Sequence, residues 1–72
     1  MNEEIISMLS NLGALSEDRA VSKNLLSNSE RLRSLNLDED IRALEIKGYL
    51  KEIDGRLYLT ESGLVRAMSN YS

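Results

Sequence analysis

One dipeptide near the end of the chain constrains the fold more than any other feature. Asp54-Gly55 separates the run Tyr49–Ile53 from the run Arg56–Leu59. An Asp-Gly pair between two such runs favours a two-residue type I′ turn, because both residues accept the positive φ angles that this turn requires. The sequence therefore predicts a β-hairpin with a defined register. The expected pairs are Ile53 with Arg56, Glu52 with Leu57, Lys51 with Tyr58, and Leu50 with Leu59.

The spacing of apolar residues predicts helices on both sides of this hairpin. A first helix is expected over roughly residues 3–12, with Gly13 at its C-terminal end. Another begins near Leu37 and stops at Lys47-Gly48, and a last helix is capped by Thr60. Over residues 14–36 polar and charged residues interrupt any long apolar period, so the sequence predicts short helices whose boundaries are weakly marked. The candidate caps in that stretch and at the start of the following helix are Ser16, Ser22 and the capping boxes Ser27-x-x-Glu30 and Asn36-x-x-Glu39.

The same periodicities predict which side chains form the core. The first helix should bury a stripe made of Ile5, Ile6, Met8, Leu9 and Leu12. Four residues from different elements are expected to be buried together, namely Leu9, Ile41, Leu44 and Leu57. In the last helix, the residues expected to close the core are Leu64, Val65 and Met68.

Length and composition limit the classes of protein to which the chain can belong. Its 72 residues suffice for a single domain, 1–72. Cysteine and histidine are both absent, which removes disulfides, thiolate metal sites and the commonest general base. We therefore expect no catalytic site, metal, cofactor or small-molecule substrate. The apolar runs are too short to span a membrane, and the first residues are acidic, so a cytoplasmic location is expected.

The segment Leu44–Leu50, followed by Gly55–Gly63, resembles part of the small prokaryotic winged-helix (winged helix-turn-helix) domain proteins. In those proteins a Leu-rich helix ends at Lys-Gly, an apolar pair begins the wing, and a Leu-Thr-Glu-x-Gly run begins the closing helix. The resemblance covers roughly the last third of the chain. It implies a mainly α fold with a small β-hairpin (α+β), in which a three-helix core carries a two-stranded wing and a C-terminal helix. It also implies a DNA-binding transcriptional regulator that acts as a homodimer.

The chain departs from DNA-binding winged helices at the start of the recognition helix. Small, polar and basic residues lie there in the DNA-binding proteins, whereas this chain has Leu37-Asp38-Glu39-Asp40. Carboxylates at that place oppose a phosphate backbone, although they also suit the positive end of a helix dipole. Consecutive helical residues point about 100° apart, so these carboxylates do not converge on one metal ion.

Two surfaces remain as candidate binding sites. The candidate nucleic-acid contacts form a basic strip along the middle helices and the wing: Arg31, Arg33, Arg42, Lys51 and Arg56. Interleaved carboxylates make an ordinary mixed-charge surface the alternative. The candidate protein-interface residues lie off the buried faces, and they are Ile46, Tyr49, Ile53 and Tyr58. Packing at the edge of the core is the alternative for them. The expected partner is therefore double-stranded DNA or, alternatively, a protein, either another copy of the chain or a different one.

Overall fold

A computed structural model of the chain describes residues 3–28 and 36–69. Within those ranges the order of elements is α1 (Glu3–Asn11), a 3₁₀ turn (Glu17–Arg19), β1 (Val21–Ser22), α2 (Lys23–Ser27), α3 (Leu37–Ile46), β2 (Leu50–Ile53), β3 (Arg56–Leu59) and α4 (Glu61–Ser69). The three strands form one antiparallel sheet in the order β1-β3-β2. The fold is therefore α+β and winged-helix-like, as the sequence predicted, with β2 and β3 as the wing.

The hairpin confirms the predicted register at every pair. Leu50 lies opposite Leu59, Lys51 opposite Tyr58, Glu52 opposite Leu57 and Ile53 opposite Arg56. The turn has positive φ at both central residues, 51° at Asp54 and 78° at Gly55, as a type I′ turn requires. The backbone twist of this two-residue turn therefore matches the right-handed twist of β2 and β3.

A third strand, β1, joins the hairpin, where the sequence predicted two strands only. Val21 pairs with Leu57 and Ser22 with Arg56. The amide of Lys23 also donates to the carbonyl oxygen of Gly55 at 3.0 Å. Because β1 has only two residues, it lacks the alternating pattern by which a strand is recognised in a sequence. The added strand attaches the start of α2 to the tip of the hairpin.

One apolar core lies between the sheet and the helices. The four residues predicted to be buried together are at most 2% exposed: Leu9, Ile41, Leu44 and Leu57. The other buried apolar residues among those described are Ile5, Ile6, Ala14, Leu26, Leu50, Leu59 and Ala67. Leu12 is 46% exposed, so its predicted place in the buried stripe is wrong. The reason is that α1 ends at Asn11, one residue before it.

Two of the three side chains predicted to close the core from the last helix face solvent instead, while the third, Leu64, is half-buried. Val65 and Met68 are 58% and 63% exposed, while Gly63 and Ala67 are buried. The cause is a close approach of backbones, because a Cβ atom on Gly63 would lie 1.9 Å from the carbonyl oxygen of Tyr49. The two smallest apolar residues of α4 therefore lie against the body of the protein.

Side-chain caps fix several helix ends. Thr60 caps α4 as predicted, since its Oγ1 accepts from the amide of Gly63 at 3.1 Å; it also donates to the carbonyl oxygen of Gly48 at 2.5 Å. Ser22 caps α2 by accepting from the amide of Asn24 at 3.1 Å. The side chain of Ser16 makes no cap hydrogen bond at the 3₁₀ turn.

The two predicted capping boxes have different outcomes. The box at Asn36 is wrong, because its Nδ2 donates to Oε2 of Glu39 at 2.5 Å and its side chain caps no helix amide. The box at Ser27 depends on Glu30, which lies outside the described residues. In the described part, the Ser27 hydroxyl donates to the carbonyl oxygen of Asn24 at 3.1 Å, within α2.

Candidate functional site

The side of α3 that points away from the core is a candidate binding surface. Ile41 and Leu44 are buried, whereas five residues around the rest of the helix are exposed. We call these five the outer face of α3: Asp38, Glu39, Arg42, Glu45 and Ile46. In DNA-binding winged helices the helix before the wing enters the major groove, and α3 is the corresponding helix here.

The outer face of α3 combines negative charge with an exposed apolar side chain. It has three carboxylates, on Asp38, Glu39 and Glu45, and one guanidinium, on Arg42. Ile46 is 79% exposed, the largest exposed fraction among the large apolar residues described. Carboxylates in the first turn stabilise the helix through its dipole, but Glu45 lies near the other end. The surface therefore repels phosphate and presents an apolar side chain to solvent.

A polar groove runs beside this face, between α2, α3 and β2. Its volume is about 310 Å³, and its lining residues are Lys23, Asp38, Ile41, Arg42, Glu45 and Glu52. A neighbouring hollow of about 430 Å³ between α2 and the start of α3 shares Lys23 and Asp38 with it. Because the hairpin forms one wall and α3 another, residues distant in sequence line one continuous depression.

Lys23 is the cation that bridges the walls of the groove. Its Nζ lies 3.0 Å from Oε2 of Glu52, and it is placed there because β1 holds the start of α2 beside the hairpin. The hydrogen bond to Glu52 raises the pKa of Lys23 above its ordinary value, and the charges of Asp38 and Glu45 add to this effect. These carboxylates therefore stabilise the protonated form of Lys23.

The predicted nucleic-acid contacts do not form one strip in the part of the chain that the structure describes. Arg42 is exposed on α3 and lines the groove. Lys51 and Arg56 are exposed on the other face of the hairpin, since Glu52 and Leu57, their neighbours in the strands, point to the groove and the core. Arg31 and Arg33 lie outside the described residues.

The predicted protein-interface residues differ in how much surface they offer. Ile46 is the most exposed of them, and the hairpin does not cover it. Tyr49 and Tyr58 are half-buried and pack against the core, and Ile53 is half-buried as well. Ile46 therefore offers a larger fraction of its side chain to a partner than any other residue of this set.

The groove was not predicted from the sequence, although the position of Glu52 in the hairpin pointed to a polar partner there. In the predicted register Glu52 shares the face of Leu50, Leu57 and Leu59, and a carboxylate on an otherwise apolar face needs a polar partner. That partner is Lys23, which no periodicity places near the hairpin, because β1 is too short to be recognised.

Further findings bear on what the protein can bind. Among residues 3–28 and 36–69, no group of three or more acidic side chains is arranged to hold a metal ion. None of the helices described is both long enough and apolar enough to cross a lipid bilayer.

Comparison of the chain with protein-family models, with curated proteins and with solved structures gave no match.

Proposed function

We propose that the protein is a non-catalytic, winged-helix-like module that binds another protein through the outer face of α3. The partner in this proposal presents basic side chains around an apolar depression. The basic side chains meet Asp38, Glu39 and Glu45, and the depression receives Ile46. The observation that carries the proposal is the 79% exposure of Ile46 within a carboxylate-rich helix face.

Interface energetics support this assignment. Binding energy at protein interfaces is concentrated in a few apolar, aromatic or arginine anchors that become fully desolvated. Complementary charges around such an anchor increase the association rate and select among partners. The outer face of α3 has both parts, since Ile46 supplies the anchor and three carboxylates supply a charge pattern.

Duplex DNA is the second candidate partner, and a specific observation favours it. The order of elements is that of a winged helix, and its wing has two exposed cations, Lys51 and Arg56, on one face. Phosphate contacts supply most of the affinity of non-specific DNA binding. These two residues are the described wing cations available for such contacts. The carboxylates of α3 oppose the same binding mode, so DNA ranks second.

Capture of a partner tests the first candidate with a matched pair of variants. Ile46→Asp adds a charge at the proposed anchor, and Leu15→Asp makes the same change at another exposed position, 44% accessible, outside α3. Immobilised wild type and both variants are incubated with extract of the source cells, and the retained proteins are quantified. We expect a partner that wild type and Leu15→Asp retain and that Ile46→Asp loses. Equal retention by all three would contradict the proposal.

A titration with random-sequence duplex at low salt tests the second candidate. Non-specific DNA binders reach dissociation constants of about 10⁻⁴ to 10⁻⁶ M, so the protein-binding proposal expects no saturation below about 100 μM. Saturable binding would favour DNA instead. In that case Lys51→Ala and Arg56→Ala should each reduce the salt dependence by about one unit of slope. Replacing Asp38 and Asp40 with Asn should then strengthen binding, because it removes two repulsive charges.

A further inference from the structure

The tip of the hairpin holds the one Asp-Gly pair of the chain. Asp54 is exposed, and its φ of 51° is left-handed, a conformation that is uncommon outside glycine. A Cβ atom built on Gly55 would meet nothing within 4 Å. The backbone that follows Asp54 therefore has open space beside it, with no packed neighbour to prevent a covalent rearrangement.

The Asp54 side chain and the next amide group can react with each other. Attack by the amide nitrogen of Gly55 on Cγ of the Asp54 carboxylic acid forms a C–N bond and closes a five-membered succinimide ring. The amide proton and the acid hydroxyl leave together as water. A side chain on the attacking residue would hinder this step, and Gly55 has none. Water is the only co-reactant needed afterwards, when it opens the ring at either of its two carbonyl carbons.

We propose that Asp54 is a modification site, at which this reaction converts the protein to an isoaspartyl form. When water breaks the bond between the nitrogen and the former backbone carbonyl, the chain continues through Cβ and Cγ of Asp54. The backbone thereby gains a methylene group, and the α-carboxylate becomes a free side group. A type I′ turn joins its strands through two residues of defined conformation, so the longer backbone does not fit it. The proposal goes beyond the proposed function, because it concerns the wing and not α3.

The modification site is connected to the groove through β1. Ser22 pairs with Arg56, directly after the turn, and the amide of Lys23 donates to the carbonyl oxygen of Gly55 at 3.0 Å. The side chain of Lys23 in turn reaches Glu52. A longer turn displaces the carbonyl oxygen of Gly55, so conversion weakens the attachment of β1 and of the start of α2 to the hairpin.

Peptide mapping of aged protein tests the proposal. Wild type is incubated at physiological temperature and neutral pH, digested, and analysed by mass spectrometry with electron-based fragmentation, which distinguishes aspartyl from isoaspartyl residues of equal mass. Asp18, Asp38 and Asp40 are internal controls, because a residue with a side chain follows each of them. We expect isoaspartate to accumulate at Asp54 and to stay near its starting level at the controls. Equal rates at the four residues, or no isoaspartate at Asp54, would overturn the proposal.

Asp54→Asn provides a second test that keeps the turn, because Asn-Gly also favours a type I′ conformation. In this variant the same ring closure releases ammonia, and water enters when the ring opens, so each conversion increases the mass of the intact chain. We expect the gain in mass to map to position 54. Asn24 is the control within the same molecule, because leucine follows it. A variant whose mass stays constant would overturn the proposal.

Two measurements on the converted wild-type fraction test the connection to β1. We expect its Tm to be lower than that of fresh protein by at least about 4 °C. Hydrogen exchange at the amide of Lys23 should also be faster, because that amide donates to Gly55 in the native turn. A converted fraction with unchanged Tm and unchanged exchange at Lys23 would overturn the inferred loosening of β1.

Discussion

Substitution of Gly63 by Ala tests the most constrained contact in the fold. On intrinsic propensity alone, Ala in place of Gly within a helix is favourable by about 0.8–1.0 kcal/mol. In this protein the new Cβ atom would lie 1.9 Å from the carbonyl oxygen of Tyr49 and 2.9 Å from its carbonyl carbon. The backbone of Tyr49 is also held in place, since its carbonyl oxygen accepts from the amide of Thr60 at 3.1 Å.

The expected magnitude follows from the displacement that the methyl group requires. Ordinary van der Waals contact for a Cβ atom begins at 3.4 Å, so α4 and the Tyr49 backbone must separate by roughly 1.5 Å. Overpacking of this kind costs about 1–3 kcal/mol, and occasionally more. Because the obstacle is backbone, we expect a cost at the upper end of that range, which leaves a net loss of about 2 kcal/mol after the gain in helix propensity. For a domain of this size that corresponds to a decrease in Tm of about 8–16 °C.

Thermal and urea denaturation followed by circular dichroism measure this effect. Ser62→Ala is the control, because it leaves the same methyl side chain at the neighbouring exposed position of α4, where a Cβ atom is already accommodated. There we expect no change or a gain of up to about 0.5 kcal/mol, as helix propensity dictates. If Gly63→Ala were as stable as Ser62→Ala, the close approach of α4 to Tyr49 would be wrong, and with it the reason why Val65 and Met68 face outward.

Substitutions at three further positions test the core, the turn and the cap. Leu44→Ala should cost about 2–5 kcal/mol in urea denaturation, because Leu44 is fully buried; an unchanged midpoint would refute the orientation of α3. Gly55→Ala should cost about 1–2 kcal/mol, since the φ of 78° is left-handed and no atom lies near the added Cβ; an effect near zero would refute the type I′ turn. Thr60→Ala should cost about 1–2 kcal/mol through loss of the helix cap, whereas Thr60→Ser should keep most of the stability because it keeps the hydroxyl.

Turn chemistry and helical spacing were sufficient to predict the register of the hairpin and the buried face of α3. The register of β2 and β3 depends on a two-residue turn, and Asp54-Gly55 specifies that turn by backbone conformation alone. Ile41 and Leu44 follow from helical spacing. In both places the determining residues are neighbours in sequence, which is why the sequence predicts them.

Contacts between distant segments account for what the sequence did not predict. The strand β1 exists because two residues pair with β3, and no pattern that short is informative. The face of α4 is decided by the approach of Gly63 to Tyr49, whereas periodicity favoured the larger side chains. The groove depends on β1, which brings Lys23 to Glu52. Exposure of Ile46 was predictable, because it lies about 180° around the helix from Leu44.

The contact between α1 and α4 determines when the protein can fold during its synthesis. Arg66 donates to Glu3 at 2.8 Å across 63 positions of the chain, and α1 packs on α4 and β3, which are made well after it. At translation rates of about 5–20 residues per second, roughly 3–13 s separate the synthesis of Glu3 from that of Arg66. Throughout that interval the apolar stripe of α1 lacks its native partners. Folding therefore waits for the synthesis of α4, and a chain released before α4 is complete exposes Ile5, Ile6 and Leu9 to chaperones and proteases.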